Sequence, residues 1–241
     1  MRSLILLSCL LLPQMSNAQQ TVTFESSDGL KVTADLYLQD KSYPYIILYH
    51  QADFSRGEYL ETAPRLLKLG YNCLAVDLRS GKEVNFVQNV TATNAREKNL
   101  PTGYLDAEKD MLAAIAYVKK LSGQKIVLFG SSYSASLSLK IAKNNPLIKA
   151  VVAFSPGEYF QPHLTLKTEL AKLQLPVFIA ATKQERPFIK DMLSGVSDNM
   201  ITWYVPSKAP GTHGSKALWQ STPGSEECWL TLLMFFKNLK K

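Results

Sequence analysis

Cysteine and histidine are scarce in this chain of 241 residues, with three of each. The mature part keeps Cys73 and Cys228, which are far apart and lie within predicted apolar elements. That spacing excludes a disulfide framework. With no second Cys or His at ligand spacing it also excludes a zinc site, so two buried free thiols are expected. There is no HExxH, and no Gly-rich phosphate loop follows the first strand, so no metal, nucleotide or flavin cofactor is expected. After the N-terminus no apolar run reaches the roughly 20 residues that span a bilayer. The net charge of +7 is spread along the chain apart from Phe236–Lys241. Basic residues are not interleaved with aromatics, which argues against a nucleic-acid partner. The terminal lysines are read as a solvated helix end that complements the helix dipole. Internal repeats and low-complexity segments are absent.

The apolar fraction of 46 % is enough for a sizeable core. Residues 1–18 are set apart. Arg2 is followed by the apolar stretch Leu4–Leu12 and by Ser16-Asn17-Ala18, a small-x-small ending. This reads as a secretory signal peptide cut after Ala18, which predicts an exported protein, periplasmic or secreted, with no integral membrane segment after cleavage. Residues 19–241 are expected to form a single domain without a separate cap domain.

Along the mature chain, Thr21–Ser26 and Lys31–Leu38 alternate in polarity around Asp28-Gly29, as a β-hairpin does. Short apolar runs at Tyr45–Tyr49, Cys73–Val76, Ile126–Phe129, Ala150–Phe154, Val177–Ala181 and Ile201–Val205 predict strands covered on both faces. Helical spacing predicts helices over Glu58–Leu69, Asp106–Leu121, Ser132–Lys143, Leu164–Leu173, Pro187–Leu193 and Glu226–Leu239. Strands alternating with helices call for a mostly parallel sheet of eight strands, with an antiparallel N-terminal hairpin and helices on both faces. Ser80–Gly103 is a long polar insert, expected to be an active-site loop. Asn89-Val90-Thr91 matches a glycosylation sequon.

The run Ile126–Phe129 ends in Gly130-Ser131-Ser132-Tyr133-Ser134, and a helical segment follows. A Gly-x-Ser-x-small turn between strand and helix is the form of a nucleophile elbow, which lifts one hydroxyl, here that of Ser132, clear of the sheet. Gly130 and Ser134 are the small residues such a turn needs, and Ser131 is read as a second spacer.

With His50-Gln51-Ala52 after the third strand and Gly211-Thr212-His213-Gly214 after the last, the chain resembles the α/β-hydrolases, and within them the small dienelactone-hydrolase-like enzymes. The resemblance covers nearly all of the mature chain. It implies a nucleophile, an acid and a histidine in that chain order. It also implies two backbone N–H groups for the oxyanion, at Tyr133 and at Ala52 or Gln51. This chain departs from the pattern in three places: Ser132 stands for the family's cysteine, Ser134 for the usual glycine, and Gln184 where an aspartate is expected.

His213 is the candidate base, His50 a structural or oxyanion-side residue, and His163 a surface residue. The candidate acid is Glu185, with Glu158 as the alternative; a third arrangement has no acid, with Gln184 orienting His213. Arg56 with Glu58, and Asp77 with Arg79, are read as loop braces, the first pair also as able to touch substrate. Tyr133, Tyr159, Phe160 and Trp219 are candidates for an acyl pocket. The function expected is cleavage of a small ester or thioester, a small-molecule acyl substrate, through an acyl-enzyme on Ser132. The alternatives are a peptidase or acyltransferase on the same residues, or a non-catalytic binding protein on a hydrolase scaffold.

Overall fold

Two antiparallel strands, β1 (Gln19–Glu25) and β2 (Lys31–Tyr37), open the fold. Their turn passes through Gly29 at φ 73°, in the left-handed region that glycine adopts without strain. The protein is described here from a computed structural model covering residues 19–240, so the expected leader lies outside the described residues. The chain continues through β3 (Tyr45–Tyr49), α1 (Thr62–Lys68), β4 (Asn72–Val76), a small hairpin of β5 (Glu83–Val84) and β6 (Val87–Gln88), and α2 (Val90–Glu97). After α3 (Glu108–Leu121) come β7 (Ile126–Ser131), α4 (Tyr133–Lys143), β8 (Ile148–Phe154), α5 (Leu166–Glu169) and β9 (Val177–Ala180). The last elements are α6 (Arg186–Met192), β10 (Ile201–Tyr204) and α7 (Ser225–Leu239).

Eight strands form one sheet in the order β1-β2-β4-β3-β7-β8-β9-β10. β2 meets β4 antiparallel, and every pairing from β4 through β10 is parallel. Side chains alternate between the two faces, so each apolar run supplies both layers. Ile47, Leu128, Val151 and Ile179 pack on one side with Met111, Leu137, Leu166 and Ile189 from α3, α4, α5 and α6. Ile46, Phe129, Val152 and Phe178 pack on the other with Leu66 of α1 and Trp229, Leu232 and Phe236 of α7. This is the α/β-hydrolase architecture. Cys73 and Cys228 are buried free thiols, and burial pushes both thiols well up from their ordinary values. Among the described residues no helix is long and apolar enough to cross a membrane.

Three segments differ from expectation. Glu58–Leu69 is a 3-10 turn, Arg56–Tyr59, followed by the short α1. Pro64 explains the break: without an N–H it cannot continue a helix begun a turn earlier. Leu164–Leu173 contains only the four residues of α5. The insert 80–103 is not an open loop, because it holds the β5–β6 hairpin and α2. Asn89 of the sequon is 1 % exposed. Its side chain caps α2 by accepting from Ala92 N at 2.8 Å and donates to Leu78 O at 2.9 Å, so the folded protein offers no acceptor there.

The braces have different partners from those the sequence suggests. Arg56 pairs with Asp77 (Nη1–Oδ2 2.7 Å) and Asp35 (Nε–Oδ2 3.0 Å), while Glu58 turns inward. Arg79 is fully buried between Asp110 (Nη2–Oδ1 2.8 Å) and Asp28 (Nη1–Oδ2 2.7 Å), joining α3 to the β1–β2 turn. Removing one member of a buried ion cluster leaves uncompensated charge in the interior. Arg79→Ala is therefore expected to cost about 3–5 kcal/mol in a urea melt, and a loss below 1 kcal/mol would contradict it.

Candidate active site

The C-terminal edge of the parallel strands carries the polar groups. Ser132 sits between β7 and α4 with φ 60° and ψ −125°, a strained conformation for a residue with a Cβ. Several contacts over-determine it. Ser132 N donates to Phe154 O at 2.7 Å, and Ser132 O accepts from Ala135 N at 3.0 Å. A Cβ on Gly130 would lie 2.4 Å from the Ala135 Cα, so strand and helix approach too closely for any side chain. Ser134 does more than save space. Its hydroxyl accepts from Ser131 N (3.0 Å) and reaches Tyr49 O (2.7 Å), tying the elbow to the end of β3. Ser131 likewise accepts from Ser215 N at 2.9 Å and is no mere spacer.

His213 lies in the loop after β10, between Gly211 (φ 100°) and Gly214 (φ 74°). A Cβ on Gly214 would fall 2.3 Å from Gln51 Oε1 and 2.7 Å from Ser131 Oγ. The histidine loop thus presses against both the elbow and the turn after β3. The segments that carry Ser132 and His213 are in contact, through Ser131 on one side and Gly214 and Ser215 on the other. Among the hydrogen bonds of the described residues none joins the Ser132 and His213 side chains directly. Such contacts commonly tighten only when substrate binds.

Of the two candidate acids, Glu185 is the one brought to His213, with Nδ1···Oε1 at 2.5 Å. Its other oxygen, Oε2, accepts from Thr182 N (2.9 Å) and Ser155 Oγ (2.8 Å). Glu185 N donates back to Thr182 Oγ1 at 3.1 Å. Thr182-x-x-Glu185 is therefore a capping box at the start of α6, which fixes the carboxylate one residue beyond Gln184. Burial alone would push the Glu185 carboxyl up. The bonds from His213, Thr182 and Ser155 outweigh it and hold the carboxyl at about 2. Glu158 is not brought to His213: its oxygens accept from Leu166 N and Lys167 N, both at 2.7 Å, at the start of α5. Gln184 does not orient the ring, since Glu185 already holds Nδ1.

The turn after β3 narrows the choice of oxyanion donor. Gln51 N already donates to Glu58 Oε2 at 2.8 Å. That leaves Ala52 N as the candidate from this turn; the others are the first N–H groups of α4, from Tyr133 on, which as in any helix have no helical partners of their own. His50 is buried and structural. Its Nδ1–H donates to Gln51 O at 2.7 Å, its Nε2 accepts from Leu78 N at 2.8 Å, and burial lowers its pKa to about 4.

The candidate pocket aromatics separate. Tyr133 and Phe160 are core residues, and Trp219 stacks on Phe54 and donates to Glu58 O. Tyr159 faces a groove of about 340 Å³ with Tyr104, Leu105 and His163. Tyr104 was not singled out in the sequence; it stacks on Tyr133 with ring centroids 4.5 Å apart. His163, read as a surface residue, lines this groove. A larger cavity, about 550 Å³, lies at the opposite edge of the sheet among Lys125, Lys149 and Pro176, away from Ser132. Ser155, Thr182 and Ser215 escaped sequence reading, because single hydroxyl residues in loops carry no pattern. Among the described residues no group of three or more His, Cys, Asp or Glu could hold a metal ion.

No curated protein matches the chain in sequence. Solved structures do match in fold. An esterase from Pyrococcus furiosus superposes with a TM-score of 0.66 at 18 % identity, covering 94 % of this chain and 92 % of that one. A dienelactone hydrolase from Anabaena variabilis gives 0.68 at 17 % identity, covering 92 % and 97 %. An acylaminoacyl peptidase from Pyrococcus horikoshii gives 0.65 at 13 % identity, covering 93 % of this chain and 42 % of that one. The sequence profile of the dienelactone hydrolase family matches residues 32–208, from β2 to beyond β10. With that match and this sheet, the chain belongs to the dienelactone hydrolase family and is a hydrolase of esterase type.

Proposed function

We propose that the protein is an exported serine esterase that cleaves a small ester or thioester through an acyl-enzyme on Ser132. The observation that carries the reading is the Glu185–His213 bond of 2.5 Å, made from a loop that packs against the elbow whose serine is held at positive φ. Glu185 fixes the ring with Nδ1 protonated, so Nε2 is the lone-pair nitrogen available to Ser132. Ser132 Oγ attacks the carbonyl carbon as its proton passes to Nε2. The oxyanion is stabilised by the N–H groups of Tyr133 and Ala52, with the α4 dipole behind them. Collapse expels the alcohol or thiol, which takes the proton from His213. Water then attacks the acyl-enzyme, with His213 again as base, and releases the acid. The groove between Tyr104 and Tyr159 supports a small apolar or aromatic group on the substrate. Export rests on the leader pattern of residues 1–18.

One experiment reads both parts. The full chain is expressed in an export-competent cell and treated with a fluorophosphonate. Intact mass is expected to show a chain starting at Gln19 with a single adduct, mapped by peptide mass to Ser132. A folded protein without an adduct would end the enzyme reading, and a retained leader would end the export reading. Turnover of esters and thioesters without turnover of amides is the expected outcome of a substrate panel; preferential cleavage of amides would make the protein a peptidase instead.

A further inference from the structure

Glu58 is a fully buried carboxylate that the mechanism above does not use. It lies in the 3-10 turn between β3 and α1, yet its bonds reach two separate parts of the site. Oε2 accepts from Gln51 N at 2.8 Å, in the turn that presents Ala52. Oε1 accepts from Ser215 Oγ at 2.5 Å, two residues past His213 and 157 residues along the chain. Ser131, which precedes the elbow serine, accepts from Ser215 N at 2.9 Å, so the residue that holds the carboxylate also holds the elbow. The indole N–H of Trp219 donates to Glu58 O at 2.9 Å, which anchors the far end of the histidine loop to the same residue.

We propose that Glu58 is a positioning residue: its carboxylate locks the oxyanion turn and the His213 loop together, so that the Ala52 N–H and the imidazole keep their register over Ser132. The proposal rests on the esterase reading above. Its physical basis is that a buried carboxylate is costly unless its lone pairs are used, and here donors from two distant loops use them. Burial pushes the carboxyl up from its ordinary value, and the bonds from Ser215 and Gln51 offset part of that. Phe54, which follows the oxyanion turn, also stacks on Trp219, so the two loops share an aromatic contact, and Glu58 adds the hydrogen-bonded tie between them. Gly214 lies against Gln51 with no room for a Cβ, so a shift of either loop is passed on to the other.

The test uses Glu58→Ala, Glu58→Gln and Ser215→Ala in the full protein, with kcat counted per fluorophosphonate-titrated site so that unfolded molecules do not enter. Glu58→Ala is expected to lower kcat by about 100-fold, the scale of an ångström misplacement of reacting groups, with KM changed by less than about threefold. Glu58→Gln should recover most of that loss, because its amide can accept from Gln51 N and donate to Ser215 Oγ. Ser215→Ala, which keeps the carboxylate and removes one loop contact, should fall between them. The Gln51 amide proton should exchange faster in Glu58→Ala than in wild type, a readout independent of turnover. If Glu58→Ala does not fold, the Ser215→Ala and Glu58→Gln comparison decides. Unchanged kcat per titrated site in these variants, with wild type labelled normally, overturns the proposal alone. A wild type that neither labels nor turns over ester overturns the esterase reading and this proposal with it.

Discussion

Ser132→Ala is expected to reduce kcat for an aryl ester by about 10⁴-fold or more, to the residual level that binding and oxyanion stabilisation provide without a nucleophile. The thermal midpoint should stay close to that of wild type. The hydroxyl does not join the bonds that shape the elbow: those run through Ser132 N and O, through Ser134 Oγ and through the glycine contact at Gly130. Alanine has the same Cβ at the same positive φ, so the backbone strain carries over unchanged. Activity near that of wild type would remove Ser132 from the mechanism, whatever the stability. A large fall in the thermal midpoint would show that the elbow depends on the hydroxyl after all.

Glu185→Gln is the second large effect, about 10⁴-fold in kcat by analogy with neutralising the acid of a serine–histidine pair. This substitution isolates charge from fold. Glutamine serves as well as glutamate at the last position of a capping box, so the Thr182 reciprocal bonds and the start of α6 should survive. What is lost is the acceptor that selects the Nδ1–H tautomer and stabilises the imidazolium. The same substitution should alter stability against pH, with a definite sign. The folded carboxyl is held at about 2, below its ordinary value of 4.5. Its stabilising contribution is thus fully present above about pH 4.5 and is lost as pH falls toward 2. Thermal melts of wild type and Glu185→Gln should differ most near neutral pH and converge on acidification. A gap that widens toward pH 2, or Glu185→Gln with undiminished kcat, would contradict the assignment.

The sheet was legible because strands buried on both faces write themselves as short apolar runs. Ile46 and Ile47, or Val127 and Leu128, need no further signal to find their two layers. The positions of Ser132 and His213 at one edge followed from chain order, since both lie just past the C-terminal end of a strand. Helix ends were harder. Pro64 splits what apolar spacing reads as one helix, and α5 stops after one turn although Leu170 and Leu173 continue the apolar pattern into the core. Between Glu185 and Glu158 no local rule decides, because each carboxylate stands near a helix start. The reciprocal bond with Thr182 turns one of them toward the sheet edge. Glu58 was visible only as half of an Arg–Glu pair, whereas the arginine chose Asp77 and the glutamate chose Ser215, partners that become neighbours only once the chain has folded.

The inaccessible Asn89 also bears on how the protein is best made. A eukaryotic secretory pathway transfers its oligosaccharide to the nascent chain, before α2 has closed over the asparagine amide. A sugar attached at that moment would take the nitrogen that Leu78 O and Phe54 O must receive, and it would block the insert from docking on the sheet. Hosts lacking that transferase pose no such hazard, so the choice of expression system becomes, for this chain, a question of whether the region around His50 can assemble at all.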